Sequence, residues 1–382
     1  MNIELTEEQV MIREMAREFA EKEVKPIASL IDHEARFPHD TVKRMGELGL
    51  LGIAIKEEYG GSGADVISYV LAMEEIAKVC ASHSVVMSVN NSLYCDPVYR
   101  FGDEEQRQRF LVPFASGQKL GCFALTEPQA GSDATNQQTL VVRNGDHYVL
   151  TGRKIFVTNG RESSAALIFC QTDREKGHRG ISAFLVEKGT PGFLIPRVEE
   201  KLGLRASDTA EFVFEECHVP EANRLGKEGE GFKIAMTAIT GGRIGVAAQA
   251  VGIAAGAYER SLAYARERKS FGAVIAEHQM VQWMLADMAM EIEAARLLTW
   301  RAAWLKDRGE PHTVEASMAK LHASETAMKV TTDAIQVHGG YGYLREYEVE
   351  RYFRDAKITQ IYEGTSQIQK LVIARHLLGL QS

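Results

Sequence analysis

The residues best placed to do chemistry lie near the end of the chain, in Ile361-Tyr362-Glu363-Gly364-Thr365-Ser366-Gln367-Ile368-Gln369. Ser366-x-x-Gln369 has the spacing of a capping box, in which the hydroxyl accepts from the third helical N–H and the glutamine reaches back. Glu363 then sits in the turn just before a helix N-terminus, with apolar Ile361 and Tyr362 on one side and flexible Gly364 on the other. The helix dipole favours a carboxylate there, and apolar neighbours disfavour it. Opposed effects of this kind tune a general base toward neutral pH. A glutamate that only complements the dipole fits the same pattern and is the commoner case.

Four further segments carry the chemistry of ligand binding. Phe123-Ala124-Leu125-Thr126-Glu127-Pro128-Gln129-Ala130-Gly131-Ser132-Asp133 reads as a strand that becomes a loop of small residues. Small side chains let a ligand approach the backbone, and Thr126 and Ser132 offer hydroxyls; an ordinary strand-to-turn connection fits equally well. In Lys154-Ile155-Phe156-Val157-Thr158-Asn159-Gly160, Phe156 and Thr158 share one face of a strand. A planar cofactor can pack on Phe156 and bond Thr158, although a core aromatic beside a turn threonine is commoner. Arg266-Glu267-Arg268-Lys269-Ser270-Phe271-Gly272 ends a long helix with cations where the dipole favours them. Capping accounts for the charges, and a pyrophosphate accounts for an Arg, a hydroxyl and an aromatic together. Gln336-Val337-His338-Gly339-Gly340-Tyr341-Gly342-Tyr343 closes another helix, and a plain C-cap needs one glycine where three stand in four residues.

Other chemistries lack their residues. No Gly-x-Gly-x-x-Gly follows a strand, and there is no P-loop, His-Glu-x-x-His, Cys/His cluster or Gly-x-Ser-x-Gly. No metal site is expected. The five cysteines, Cys80, Cys95, Cys122, Cys170 and Cys217, are widely spaced and fit a reducing cytosol. A net charge of −8 opposes diffuse binding to nucleic acid or anionic lipid. Met1 to Glu8 shows no signal or transit pattern, and no uncharged apolar run reaches the roughly 18 residues of a membrane span, so neither targeting nor a span is expected.

The elements that must position these segments follow from punctuation and period. Eight of the nine prolines lie at or before Pro220, so long helices are expected beyond it. Thr6-Glu7-Glu8-Gln9 is a capping box opening an amphipathic stretch toward Asp32, and helical patterns recur at about 40–48, 64–79, 84–100 and 104–116. From about 121 the period changes: an Asn144-Gly145 turn between β-formers predicts a hairpin, and short apolar runs follow at 154–157, 165–170, 181–186, 192–195 and 211–214. Helical patterns return at about 245–268, 277–308, 313–337 and 367–378. The expectation is an α+β multidomain chain. Residues 1–120 form a helical domain, 121–225 a mostly antiparallel β-barrel or sandwich, and 226–382 a helical bundle.

Taken in order, residues 123–133, 156–160, 268–272, 336–340 and 361–369 resemble the flavin-binding and catalytic segments of the acyl-CoA dehydrogenase family, over essentially the whole chain. Met87-Ser88-Val89-Asn90-Asn91-Ser92-Leu93-Tyr94 and Gly242-Arg243-Ile244-Gly245 resemble its short-chain, butyryl-CoA branch. The resemblance implies an N-terminal helical domain, a middle β-domain and a C-terminal four-helix domain. It implies FAD as cofactor and α,β-dehydrogenation of an acyl-CoA to a trans-2-enoyl-CoA, with Glu363 as the α-proton base and flavin N5 as hydride acceptor. The thioester oxygen would be bonded by the Glu363 N–H and a ribityl hydroxyl. By position, Phe123, Leu125, Thr126, Ser132, Phe156 and Thr158 would hold the flavin, with Phe156 standing where the family usually has Trp. Arg268, Phe271, Gln279, Gln336, Gly339 and Gly340 would hold its phosphates and adenosine, partly across a subunit interface, with Thr365 and Gln367 returning to FAD. Ser132, Thr240, Gly241, Gly242, Arg243, Tyr362 and Gly364 would line the CoA-thioester site. A cytoplasmic homotetramer passing electrons to an electron-transfer flavoprotein follows by the same resemblance. The alternatives are the same chemistry on a branched, cyclic or aromatic-linked acyl-CoA, an oxidase using O2, and a redox-inactive scaffold.

Overall fold

The structure, a computed structural model, describes residues 4–380, so the first three residues of the N-terminal stretch read for targeting signals lie outside it. The chain opens as its local sequence dictates. Thr6 Oγ1 accepts from the Gln9 N–H at 3.2 Å, and Gln9 Oε1 accepts from the Thr6 N–H at 3.0 Å, which satisfies two donors that α1 (Glu7–Phe19) would leave unpaired. A π-helical turn, Ala20–Val24, carries it into α2 (Lys25–Glu34). There follow α3 (His39–Glu47), α4 (Val66–Val79), α5 (Ala81–Ser88), a second π-helical stretch (Val89–Cys95), α6 (Asp96–Phe101), α7 (Glu104–Phe110) and α8 (Val112–Ala115). The π-helical stretch passes Asn90 and Asn91 through the core, where their amides bond the carbonyls of Leu51, Phe114, Leu50 and Met87.

The middle segment is one eight-stranded sheet: β1 (Gly121–Ala124), β2 (Leu140–Asn144), β3 (His147–Thr158), β4 (Ala165–Gln171), β5 (Ile181–Glu187), β6 (Phe193–Val198), β7 (Thr209–Pro220) and β8 (Arg224–Leu225). Its order is β6-β7-β3-β2-β4-β5-β8, with β1 on β4. Most pairings are antiparallel as expected, but β1 and β2 both run parallel to β4, so the sheet is mixed. In the hairpin, Asn144 pairs with His147, which makes Gly145-Asp146 the two-residue loop rather than Asn144-Gly145. Gly145 takes the positive φ, +66°, that such a loop demands.

The C-terminal segment holds α9 (Gly231–Glu267), α10 (Gln279–Asp307), α11 (Thr313–His338), α12 (Val349–Thr359) and α13 (Ser366–Leu377). Helix α9 begins well before the expected start near 245, because burial overrides the poor helical propensity of Gly241 and Gly242. It is long and apolar enough to cross a membrane by length and composition, yet 89% of its most apolar window is buried in the protein. Its glycines admit α4 closely: a Cβ on Gly252 would stand 2.5 Å from the Glu74 carbonyl oxygen, and one on Gly256 2.3 Å from that of Lys78. The short, charge-dense α12 has no counterpart in the expected elements. One core is shared by the N- and C-terminal helices, and the sheet has its own, built on Phe184, Phe212 and Phe214. All five cysteines are buried and unpaired.

Candidate active site

Glu363 lies in the turn between α12 and α13, just before the helix N-terminus, as its sequence context requires. The cap itself differs from expectation by one residue. Thr365, not Ser366, is the N-cap, its Oγ1 accepting from the Ile368 N–H at 3.3 Å. Ser366 Oγ donates instead to Glu325 Oε1 at 2.7 Å. Gln369 turns inward, its Nε2 donating to the carbonyls of Glu363 at 3.2 Å and Gly364 at 2.8 Å. The two carbonyls face that amide because both residues are left-handed, Glu363 at φ +53° and Gly364 at +92°. For a residue with a Cβ this conformation costs about 1–2 kcal/mol, so the surroundings must hold it. Arg243 Nε of α9 also approaches the Glu363 carbonyl at 3.5 Å, and Lys320 Nζ of α11 bonds that of Gly364 at 2.8 Å.

The Glu363 carboxyl is shaped by what surrounds it. Its Oε2 is buried without a hydrogen-bond partner. It packs on Gly242, where a Cβ would stand 2.0 Å from that oxygen. Burial pushes the carboxyl pKa up to about 7, against the attraction of Lys320 and Arg243. A carboxylate so placed takes up a proton near neutral pH. Next to it, the Tyr362 hydroxyl donates to Gln249 Oε1, and Gln249 Nε2 donates to Ala81 O and Ser84 Oγ, each at 3.0 Å. The turn is thereby tied to α9 and α5.

Tyr362, Glu363, Gly364 and Arg243 line one side of a cavity of about 310 Å³. Phe123, Leu125, Thr126 and Ser132 line another part, with Phe156 and Thr158 beside them. Val85, Val89, Leu93, Met236 and Ile239 make an apolar portion. Simple strand alternation does not place Phe156. The β3–β7 register shifts between Lys154 and Val157, and Phe156 takes φ +58° with 62% of its surface exposed. A large aromatic held open on strained backbone is a surface on which a flat ligand packs.

The loop that carries Thr126 and Ser132 is locked from behind. The fully buried Lys154 donates from Nζ to Leu125 O at 3.1 Å, Glu127 Oε1 at 2.7 Å and Gln137 Oε1 at 3.1 Å. Glu127 in turn accepts the N–H groups of Gln138 at 2.6 Å and Thr139 at 3.1 Å. Sequence reasoning gave Lys154, Glu127 and Lys320 no role in the site and Gln369 only that of a helix cap. The available signal was a lysine directly before the apolar run Ile155-Phe156-Val157, and another at the end of the mostly small-residue run Ala316-Ser317-Met318-Ala319-Lys320.

Arg268, Gly339 and Gly340 line a different, open cavity of about 400 Å³ beside Tyr264 and His338, with the Arg268 guanidinium 5.2 Å from the Tyr341 ring centroid. The other expected site residues line neither cavity. Phe271 is 98% exposed at φ +51°, Gln279 begins α10, and Gln336 lies in the last turn of α11. Thr240 bonds the Met236 carbonyl at 2.8 Å, a Cβ on Gly241 would meet Lys306 Nζ at 2.7 Å, Thr365 caps α13, and Gln367 is exposed. Among the described residues, no group of three or more His, Cys, Asp or Glu could hold a metal ion.

Comparison with known proteins agrees with this geometry. Residues 6–118, 122–217 and 229–378 match, respectively, the N-terminal, middle and C-terminal domains of acyl-CoA dehydrogenase. The chain is 55% identical over 374 residues to the short-chain specific acyl-CoA dehydrogenase of Clostridium acetobutylicum, covering 98% of this chain and 99% of that one. It superposes on the structure of butyryl-CoA dehydrogenase from Megasphaera elsdenii with a TM-score of 0.98 at 47% identity, covering 99% of this chain and all of that one. A chain in the structure described as the electron transferring flavoprotein of Acidaminococcus fermentans gives 0.98 at 53% identity, with coverage of 99% and 100%. With three domains matched in order and Glu363 poised before a capped helix, the chain belongs to the acyl-CoA dehydrogenase family.

Proposed function

We propose that the protein is an FAD-dependent acyl-CoA dehydrogenase that oxidises a short-chain, butyryl-CoA-like thioester to the trans-2-enoyl-CoA, with Glu363 as the base. The observation that carries this is the Glu363 carboxyl, buried, unpaired at Oε2 and directed by a left-handed turn at a cavity that also holds Phe156 and Thr158.

The residues present fit a flavin. An exposed aromatic, a neighbouring hydroxyl and a loop of small residues meet at one cavity, as an isoalloxazine needs. Phe123, Leu125, Thr126, Ser132, Phe156 and Thr158 would hold the ring, and Arg268, Phe271, Gln279, Gln336, Gly339, Gly340, Thr365 and Gln367 the rest of the molecule. When bound, FAD supplies the two-electron sink that no side chain offers. Glu363 removes the α-proton, and its burial keeps it basic enough at neutral pH to do so. Thr240, Gly241, Gly242, Arg243, Tyr362 and Gly364, with Ser132, would seat the thioester, and the apolar lining from Val85 to Leu93 excludes water from the acyl chain. On this assignment the domains divide near residues 120 and 225.

Two finer assignments have their own support. Of the residues assigned to FAD, six line one cavity, three line the other and the rest line neither, and Phe271 stands almost wholly exposed, as it would if a second subunit completed the cofactor site. Met280, Trp283, Met290 and Leu297 form an exposed apolar stripe on α10, which a homotetramer would cover. The match to a chain from an electron transferring flavoprotein structure supports such a protein as electron acceptor, and five buried thiols fit the cytoplasm.

The test is to mix Glu363→Gln with butyryl-CoA without oxygen and follow the flavin absorbance. The wild type is expected to bleach and the variant to stay oxidised; wild-type-like bleaching by the variant removes the base assignment.

A further inference from the structure

A soluble protein rarely buries a lysine without a reason in its charge balance. Lys320 of α11 has no solvent exposure. Its Nζ donates to the Gly364 carbonyl at 2.8 Å, immediately after Glu363. Glu325, the acidic neighbour on the same helix, is already engaged by Ser366 Oγ and Gln360 Nε2 at 2.7 Å each. The Glu363 carboxyl, whose charge acts on Lys320, has its Oε2 buried with no hydrogen-bond partner. The titratable groups acting on Glu363 come from several elements. They are Lys320 of α11 and Arg243 of α9 as cations, with Tyr69 of α4 and the adjacent Tyr362 as phenols that burial keeps neutral. Arg243 is partly committed elsewhere, its Nη1 bonding Ser317 Oγ at 3.2 Å.

We propose that Lys320 is a positioning residue for the reaction: its ammonium anchors the left-handed Glu363–Gly364 backbone through the Gly364 carbonyl, and its charge biases the Glu363 carboxyl toward the ionised form. The first role follows from the strain at Glu363, whose φ of +53° needs donors on the carbonyls that the turn directs inward. The second follows from sign. An enclosed cation lowers the energy of the carboxylate relative to the acid, while burial alone would leave too little carboxylate at neutral pH. Burial works against the lysine's charge as well and brings its pKa down to about 8, which still leaves it cationic at the neutral pH where Glu363 ionises.

This role rests on Glu363 as the base, so the experiment separates the two. The rate of flavin bleaching by butyryl-CoA is measured between pH 5.5 and 9 for the wild-type holoenzyme, Lys320→Met, Lys320→Gln and Glu363→Gln. Lys320→Met removes charge and donor, and its acid limb is expected to move up by about one pH unit, a loss of about tenfold at pH 6, with a lowered plateau above pH 8.5. Lys320→Gln keeps a neutral donor, and it should show the same limb with a plateau closer to wild type. It also serves if Lys320→Met does not fold. A limb that stays in place in both variants, with rates lowered equally at every pH, overturns the proposal and leaves a structural lysine. Wild-type-like bleaching by Glu363→Gln removes the base assignment itself.

Discussion

Lys154 Nζ of β3 and Glu127 Oε1, within the loop that lines the candidate flavin cavity, lie 2.7 Å apart with side chains 0% and 1% exposed. Burial opposes the charge on each, and their mutual attraction supports it. The pair is worth little compared with two well-packed apolar residues, yet breaking it by removing one partner strands the other. It serves to hold the residue 125–139 loop in one conformation, through the Leu125 carbonyl and the N–H groups of Gln138 and Thr139.

Lys154→Met should therefore release the loop and leave Glu127 buried and unpaired, at a cost of about 3–5 kcal/mol. The variant is expected to purify with less flavin per chain and a lower Tm, and Lys154→Met/Glu127→Gln should recover part of both. Full flavin content and an unchanged Tm in the single variant would show that the pair has no hold on the loop.

The raised pKa of Glu363 also makes a prediction for stability. Its carboxyl ionises near 4.5 when unfolded and near 7 when folded. Between those values the unfolded chain has lost the proton and the folded one keeps it, so stability falls as pH rises through that window and is level above it. Glu363→Gln lacks this loss. The variant should match the wild type near pH 4.5 and exceed it by up to about 2–3 kcal/mol above pH 7. Urea unfolding of both holoproteins at several pH values checks this; a difference that does not grow between pH 5 and 7 contradicts the buried, protonated carboxyl.

The α10 stripe bears on assembly. Trp283→Glu places a charge in the middle of Met280, Trp283, Met290 and Leu297 without touching the core, since Trp283 is 67% exposed. Sedimentation should show a smaller species than wild type, with secondary structure unchanged by circular dichroism. An unaltered sedimentation profile contradicts the proposal that this stripe is covered by a second subunit.

What the sequence made legible was local. The Thr6–Gln9 box was readable because both partners lie within one turn, and Glu363 was readable because a hydroxyl-rich turn and a helix follow it. Choosing between Thr365 and Ser366 as cap was not, since both carry hydroxyls; Gln369 decides it by turning to the Glu363 and Gly364 carbonyls. The Phe156 bulge exists only in register with β7, and Lys320 meets Gly364 across 44 positions of sequence. No window along the chain contains either relationship. The gap between the two cavities is of the same kind: Arg268 and Phe271 are neighbours in sequence, but one stacks near Tyr341 and the other points into solvent.

Gly242 provides the most direct test of how Glu363 is held. Helix α9 passes so close that a Cβ at 242 would lie 2.0 Å from Glu363 Oε2 and 3.0 Å from Leu93 Cδ2. The first contact cannot stand, and the carboxyl is the movable partner, because the helix is fixed by its neighbours, the Glu363 carbonyl by Gln369 and Arg243, and the Gly364 carbonyl by Lys320. Gly242→Ala should push the carboxylate into the cavity and out of its apolar seat. Helix propensity improves by up to about 1 kcal/mol, so folding should survive. A base displaced by an ångström or more loses about 10²-fold in rate. Its acid limb should also move to lower pH, because a less buried carboxyl ionises more readily. Rapid mixing with butyryl-CoA across pH reads both effects, with flavin content as the check on the cofactor site. A variant with the wild-type rate and limb would mean that Glu363 works from a position independent of Gly242; a slow variant with a lowered limb means that the glycine is there to let the base withdraw from solvent.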